Sequence, residues 1–178
     1  PAKRLYDGAF VYSRYKTAEV DGVQLVNLLP LEDYIAGVVP YEISPTWDYE
    51  ALRAFAITVR SYTTRNRRRH RDYGFDVCNT THCQVYRGIG SANDNVYAAV
   101  AATKGMVLTY EGEIVPAYYS SSTGGYTAGG NDTWGGSEAA YLTPTRTPWE
   151  RYSEYANGLW SVEVDAAELA EHLRNKGY

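Results

Sequence analysis

Four side chains with metal-binding chemistry fall within fourteen residues: His70, Cys78, His82 and Cys83, spaced H-x7-C-x3-H-C. Two thiolates and two imidazoles are the number and type of ligands that close a tetrahedral zinc site. An ion held there would staple the chain just after the long helix expected upstream. The spacing is not that of a standard zinc finger, and two other readings compete. In an exported protein Cys78 and Cys83 would close a small disulfide loop. Otherwise the two thiols would be small, buried and inert.

Glu42 is the carboxylate best placed for proton transfer. Val38, Val39, Pro40, Ile43, Pro45 and Trp47 surround it in sequence. Apolar neighbours disfavour the ionised carboxylate and so suit a general acid. The competing reading is an ordinary solvent-facing loop residue. Other patterns carry less. Ser13-Arg14-Tyr15-Lys16 fits S-x-x-K but lies in a strand-like stretch, with neither partner motif downstream. The serines at 120–122 lack the G-x-S-x-G elbow and have no adjacent histidine. Thr123-Gly124-Gly125 would let bare backbone approach a ligand, or would form a flexible tip.

These residues need elements to position them. Phe10–Tyr15 and Val23–Leu28 read as strands joined at Asp21-Gly22. A short helix from Leu31 to about Val38 follows, with Glu32 and Asp33 in its first turn. Pro40 and Pro45 predict an irregular segment after it, holding Glu42. From Asp48 to about Arg68, the stripe Leu52, Phe55, Ala56, Val59 and Thr63 marks a long helix. Its end carries Arg65, Arg67, Arg68, Arg69, His70 and Arg71, which suit either a helix C-terminus or an anion site. Ser91 as N-cap and Gly105 past the end frame a third helix. A hairpin is predicted over Met106–Tyr110 and Glu113–Tyr119, turning at Glu111-Gly112. The Ser/Thr/Gly-rich stretch 120–137 is too long for a simple connection. A strand over Leu159–Val164 and a helix capped by Asp165 end the pattern. With no repeat and no linker-like composition, the 178 residues predict one compact α+β domain.

Composition narrows the class further. Leu, Ile, Val and Phe supply only about one residue in five, but 18 Tyr and 4 Trp provide the missing apolar area. A net charge of −4 and a pI near 5.4 argue against nucleic acid as a partner. No apolar run reaches the 18 residues of a membrane span. Neither is a signal peptide visible.

Several segments together resemble the stage II sporulation protein D family. They are Leu29-Pro30-Leu31-Glu32-Asp33-Tyr34, Gly37-Val38-Val39-Pro40-Tyr41-Glu42, and Glu50-Ala51-Leu52-Arg53-Ala54 with Arg60-Ser61-Tyr62. Asp76-Val77-Cys78-Asn79-Thr80-Thr81-His82-Cys83-Gln84-Val85-Tyr86 and Ser121-Ser122-Thr123-Gly124-Gly125-Tyr126-Thr127 complete the set, which spans about residues 25–150. The resemblance implies a peptidoglycan lytic transglycosylase acting on glycan strands without stem peptides, or a non-catalytic glycan-binding relative that enhances a cell-wall amidase. It places the catalytic glutamate at Glu42, a functional arginine at Arg60 and zinc ligands at His70, Cys78, His82 and Cys83. Substrate contacts would fall on Gln84, Tyr119, Ser121, Ser122, Thr123, Gly124, Gly125, Tyr126, Trp134 and Tyr141, with the long loop lining a glycan groove. Relatives often carry a basic residue where Thr143 stands, and Arg146 is the nearest cation to replace it. Zinc would be structural, and the location extracytoplasmic. A zinc hydrolase is disfavoured, because four local ligands leave no open position.

Overall fold

Helices and small antiparallel sheets share the chain, as an α+β reading requires. The structure, a computed structural model, describes residues 3–135, 139–152 and 161–177. Contacts gather into two compact units, Pro1–Tyr119 and Ser120–Tyr178.

The first unit opens with a hairpin of β1 (Ala9–Lys16) and β2 (Asp21–Leu28), in register from Ala9 opposite Leu28 to Lys16 opposite Asp21. Its turn lies at 17–20, not at the expected Asp21-Gly22. The Thr17 hydroxyl accepts from the Glu19 and Val20 amides at 3.2 and 3.0 Å, closing the turn earlier. Asp21 is thereby inside β2, where it pairs with Arg14 at 2.6 Å.

Helix α1 (Leu31–Glu42) overrules a second expectation, because it runs straight through Pro40. The proline leaves the Ala36 carbonyl without its helical partner, a defect costing about 3 kcal/mol. Against that, Ile35, Val38 and Val39 are fully buried, worth about 1.5–3 kcal/mol each. Packing wins, and the Ile43 amide still bonds the Val39 carbonyl at 3.0 Å. Glu42 is therefore the last helical residue instead of part of an irregular segment.

Helix α2 (Tyr49–Arg65) starts at Asp48, whose carboxylate accepts from the Glu50 amide at 2.9 Å. The predicted stripe forms its inner face: Leu52, Ala56, Val59 and Thr63 are buried and Phe55 packs at the margin. Helix α3 (Asp94–Ala102) is capped by Asn93, which accepts from Val96 N–H at 3.0 Å, and not by Ser91. Asn93 lies one residue before the first helical position, where a short side chain reaches the N3 amide. These three helices enclose the core, with Tyr86 packed among them. Gly37 admits the approach of Tyr86: a Cβ there would stand 2.5 Å from the Tyr86 ring. Strands β3 (Thr109–Tyr110) and β4 (Glu113–Ile114) form the second hairpin, shorter than expected, with Glu111 and Gly112 both at positive φ as its turn demands.

In the second unit, helix α4 (Gly130–Trp134) interrupts the stretch read as a loop. Helix α5 (Ala166–Asn175) is capped as expected, Asp165 accepting from Ala167 and Glu168. Of the strand expected over Leu159–Val164, the first two residues lie outside the described residues and 161–164 is not a strand. Among the described residues, no helix is long and apolar enough to cross a membrane.

Arg60 joins the first unit's helices. It is 1% exposed, and its guanidinium forks onto the Glu32 carboxylate at 2.6 and 3.1 Å. It also donates to the Ala56, Val100 and Met106 carbonyls at 3.2–3.4 Å, and lies 3.5 Å from the Thr103 hydroxyl. Truncating it would strand a carboxylate and several carbonyls. Arg60→Ala should destabilise the fold by about 3 kcal/mol, the low end for a broken buried pair because Glu32 keeps some solvent contact. Arg60→Lys should recover little, since an ammonium cannot make the fork. Urea unfolding measures both, and an unchanged midpoint for Arg60→Ala would show that the brace carries no stability.

Candidate functional site

The site grows from one short segment. Cys83, Gln84, Val85 and Tyr86 follow one another, and each meets a different part of the first unit. Val85 donates its backbone N–H to Glu42 Oε1 at 2.8 Å, fixing the half-buried carboxylate at the end of α1. Tyr119 is the ionisable neighbour of that carboxylate. Burial pushes its hydroxyl well above the ordinary tyrosine range; a Gln84 hydrogen bond opposes the rise and Glu42 adds to it.

Gln84 is not a surface contact, as the sequence reading had it. It is 1% exposed, with the Thr63 hydroxyl 2.7 Å from its Oε1 and the Tyr119 oxygen 3.5 Å from its Nε2. Tyr119 is partly exposed and packs edge-on to Phe55 (5.1 Å) and Tyr62 (6.4 Å). Arg60, which the resemblance makes a functional arginine, is buried in the scaffold. Its donors are engaged at Glu32, ten residues and therefore roughly 15 Å of helix from Glu42.

The four metal-ligand candidates do converge. Their ligand atoms lie within 4.8 Å of one another. Cys83 Sγ is 3.4 Å from His70 Nε2 and 3.7 Å from His82 Nδ1, and Cys78 Sγ is 3.6 Å from the same His82 nitrogen. Those separations compare with about 3.5 Å for a sulfur–nitrogen edge of a tetrahedral zinc site, given its usual bond lengths. His70 is held by stacking on Phe75 at 4.9 Å, and their backbones bridge. Both cysteines are free thiols, without the disulfide. Burial raises the Cys78 thiol, but hydrogen bonds to Thr80, His82 and Cys83 outweigh it and bring the value to about 6. Cys83 shifts upward, mainly through burial. The thiolate is the form of cysteine that ligates a metal.

A cavity of about 930 Å³ lies in the same unit, lined by Tyr6, Phe10, Tyr34, Arg67, Phe75 and Tyr86 among others, and Glu42 is not part of its wall.

The expected substrate residues of the second unit form a turn of their own. Glu150, unnoticed in the sequence, organises it: its carboxylate accepts from the Thr123 amide (2.5 Å), the Gly125 amide (3.1 Å) and the Ser122 hydroxyl (3.2 Å). Thr147 donates its amide to the Gly125 carbonyl at 2.9 Å, and Tyr126 bridges Arg146 through the backbone. Gly124 and Gly125 have φ of 67° and 99°, which explains the glycines. Ser121, Tyr126, Trp134, Tyr141 and Arg146 are exposed.

The first unit thus holds Glu42 pinned at a helix end and a four-residue thiol–imidazole cluster, on an α+β scaffold. The family profile described as stage II sporulation protein (SpoIID) matches residues 19–110, which include Glu42 and all four cluster residues, and the chain belongs to that family. It is 43% identical over 135 residues to the amidase enhancer of Bacillus subtilis, covering 76% of this chain and 18% of that protein. It is 31% identical over 154 residues to stage II sporulation protein D of the same organism, covering 78% and 43%. An uncharacterised protein of Brachyspira hyodysenteriae is 33% identical over 174 residues, covering 92% and 46%. The chain thus spans less than half the length of these relatives.

The Glu150 turn gives a pH test. Hydrogen bonds from the Thr123 amide, then the Gly125 amide and Ser122, hold the Glu150 carboxyl below its ordinary value. A depressed carboxyl stabilises the fold above its unfolded value and loses that contribution as pH falls through its folded one. The protection of the Thr123 and Gly125 amides against hydrogen exchange, taken relative to the free-peptide rate at each pH, should therefore fall in acid, below the usual carboxylate range. Glu150→Gln should show weak protection already at pH 7. Equal protection in the variant would remove Glu150 as the organiser.

Proposed function

We propose that this chain is a peptidoglycan lytic transglycosylase that cleaves the bond between N-acetylmuramic acid and N-acetylglucosamine, with Glu42 as its single acid and base. The observation that carries the reading is Glu42 itself. The resemblance puts the family's glutamate at this position, and the residue is half-buried and held by the Val85 N–H at 2.8 Å. A carboxylate has about four acceptor sites, so that bond leaves room for a sugar oxygen.

In this reading, protonated Glu42 gives its proton to the glycosidic oxygen as the bond from muramic C1 breaks, and the oxygen leaves as the glucosamine hydroxyl. The Glu42 carboxylate then takes the proton of the muramic 6-hydroxyl, whose oxygen bonds to C1. The product is a 1,6-anhydro ring, and no water is consumed. One carboxylate does the work that glycoside hydrolases usually divide between two. The Ser121–Tyr126 turn, with its hydroxyls and bare glycine backbone, together with exposed Trp134, Tyr141 and Arg146, supplies glycan contacts. Peptide-free strands expose lactyl carboxylates that suit an arginine. The location that follows is extracytoplasmic.

His70, Cys78, His82 and Cys83 would hold one structural zinc ion, which would cross-link the chain and take no part in the proton transfers. A second functional reading has its own support: the relative sharing 43% identity is named an amidase enhancer. Under it the chain binds glycan and assists a separate cell-wall amidase without cleaving anything.

Mass spectrometry of peptide-free glycan strands after digestion decides. Anhydro-muramic ends are the expected product, and Glu42→Gln should abolish them while keeping the fold, because the amide oxygen still accepts from Val85. Strand binding with no new ends by the unmodified chain would favour the enhancer. Ordinary reducing ends would mean hydrolysis. The metal reading is checked separately. Elemental analysis should find about one zinc per chain, and Cys83→Ser should lose it and melt at a lower temperature. Metal-free protein of unchanged melting temperature would set zinc aside.

A further inference from the structure

The cavity of about 930 Å³ stands apart from Glu42, which has no place in its wall. Strand β2, the start of α1, the end of α2 and residues 74–79 supply that wall. The volume falls in the range of clefts that enclose small-molecule ligands, roughly 300–1,000 Å³. Four lining rings touch in series: Phe10 and Tyr6 at 5.4 Å between centroids, Tyr6 and Tyr86 at 5.9 Å, Tyr86 and Tyr34 at 5.1 Å. The hairpin side of the wall is tied down. Asn27 accepts from the Tyr86 hydroxyl at 2.8 Å and donates to the Asp7 and Ala9 carbonyls at 2.9 and 3.2 Å.

The same wall carries polar groups with bonding capacity to spare. Arg67 and Arg71 each meet a carboxylate through Nε, Asp76 at 3.9 Å and Asp72 at 3.3 Å. Their terminal nitrogens make no hydrogen bond among the described residues. Gln24 accepts from the Ser13 hydroxyl at 3.1 Å, which leaves its NH2 to donate. Asp76 is the acidic residue of the wall, and its Oδ1 accepts the Arg68 amide at 3.1 Å. Residues 67–76 hold four arginines against Asp72 and Asp76, a surplus of two positive charges in a chain of net −4. An anion is therefore favoured here over a cation. Tyr34 adds a demand of its own. It is 8% exposed, and its buried hydroxyl has no hydrogen-bond partner. Such a group costs the fold stability until something pairs with it.

We propose that this cavity is a second, non-catalytic sugar site that takes an acidic disaccharide. The ring faces lie on the aromatic wall, the carboxylate meets Arg67 and Arg71, and hydroxyl or acetamido oxygens meet Gln24 and Tyr34. Apolar ring faces and a carboxylate in one small molecule match aromatic rings and guanidinium groups in one cavity. A neutral sugar would leave the arginines unused, and an apolar ligand would leave Gln24 and Tyr34 unpaired. The choice of muramic acid as the acidic sugar rests on the glycan reading above. The site itself does not, because its chemistry is read from residues apart from Glu42.

The test follows amide shifts by NMR while the full chain is titrated with two ligands. One is the peptide-free disaccharide of N-acetylglucosamine and N-acetylmuramic acid. The other is diacetylchitobiose, which has the same pair of rings without the lactyl carboxylate. The acidic disaccharide should shift the amides of residues 24–28 and 74–79. It should bind about tenfold more tightly than the neutral one, the low end for hydrogen bonds to a charged group. Arg67→Gln combined with Arg71→Gln should remove that preference. Tyr34→Phe should weaken binding about 3–10-fold, the loss of one neutral hydrogen bond, and should leave the free chain's melting temperature equal or higher. No binding, shifts confined to residues 119–126, or equal affinity for the two disaccharides would overturn the proposal. So would full preference in the double arginine variant. Binding and cleavage are read separately. Absence of anhydro ends would remove the lytic reading and leave this site standing, and an empty cavity would leave the role of Glu42 untouched.

Discussion

A buried guanidinium holds the first unit together. Arg60 reaches from the middle of α2 to the first turn of α1 through Glu32, to the end of α3 through the Val100 carbonyl, and to the segment after α3 through the Met106 carbonyl. Nonpolar packing alone would bring three helices close, but it tolerates sliding. A planar fork with fixed donor directions does not. Because Glu32 and Glu42 lie at opposite ends of one helix, the brace at one end sets where the other end stands. The position of the Glu42 carboxylate thus depends on a contact about three turns away along α1.

At the far end of α1 the constraint is different. The chain from Cys83 to Tyr86 packs against the helix, and its closeness depends on Gly37 having no side chain. Alternate residues of an extended segment face opposite ways, so one short piece of chain meets several neighbours. Cys83 joins the thiol–imidazole cluster, Gln84 enters the interior beside Thr63, Val85 offers its amide to Glu42, and Tyr86 fills the core. Anything that tightens the cluster, a bound ion above all, restrains the amide two residues later. The cluster and the carboxylate are then coupled by chain connectivity, without direct contact between them.

How far this was legible in the sequence depended on the kind of interaction. The α2 stripe, the start of that helix at Asp48, the Asp165 cap and the cluster spacing are local patterns, and the folded chain keeps them. Pro40 misled because a local rule met a helix buried on several sides, where packing outweighed one lost hydrogen bond. Ser91 misled by two positions, since Asn93 is an equally good cap and lies nearer the helix. Arg60 and Gln84 were assigned to function by the resemblance, and nothing local in the sequence marked them as buried. Their burial comes from partners 28 and 21 residues away, which no short window contains. Glu150 left no signal at all, as nothing in its own neighbourhood points to the amides of Thr123 and Gly125.

Arg60 and Gln84 are both buried with polar partners. Burying an arginine or a glutamine without partners would be prohibitive, so each must be satisfied in full or replaced by something apolar. Arg60 is satisfied by a carboxylate and backbone carbonyls, all of which serve the scaffold. Gln84 meets two hydroxyls, Thr63 on α2 and Tyr119. An apolar residue of the same volume would avoid the desolvation of an amide, but it would leave both hydroxyls without the group that joins them. The polarity of position 84 is therefore set by the polar neighbours that the fold already places around it.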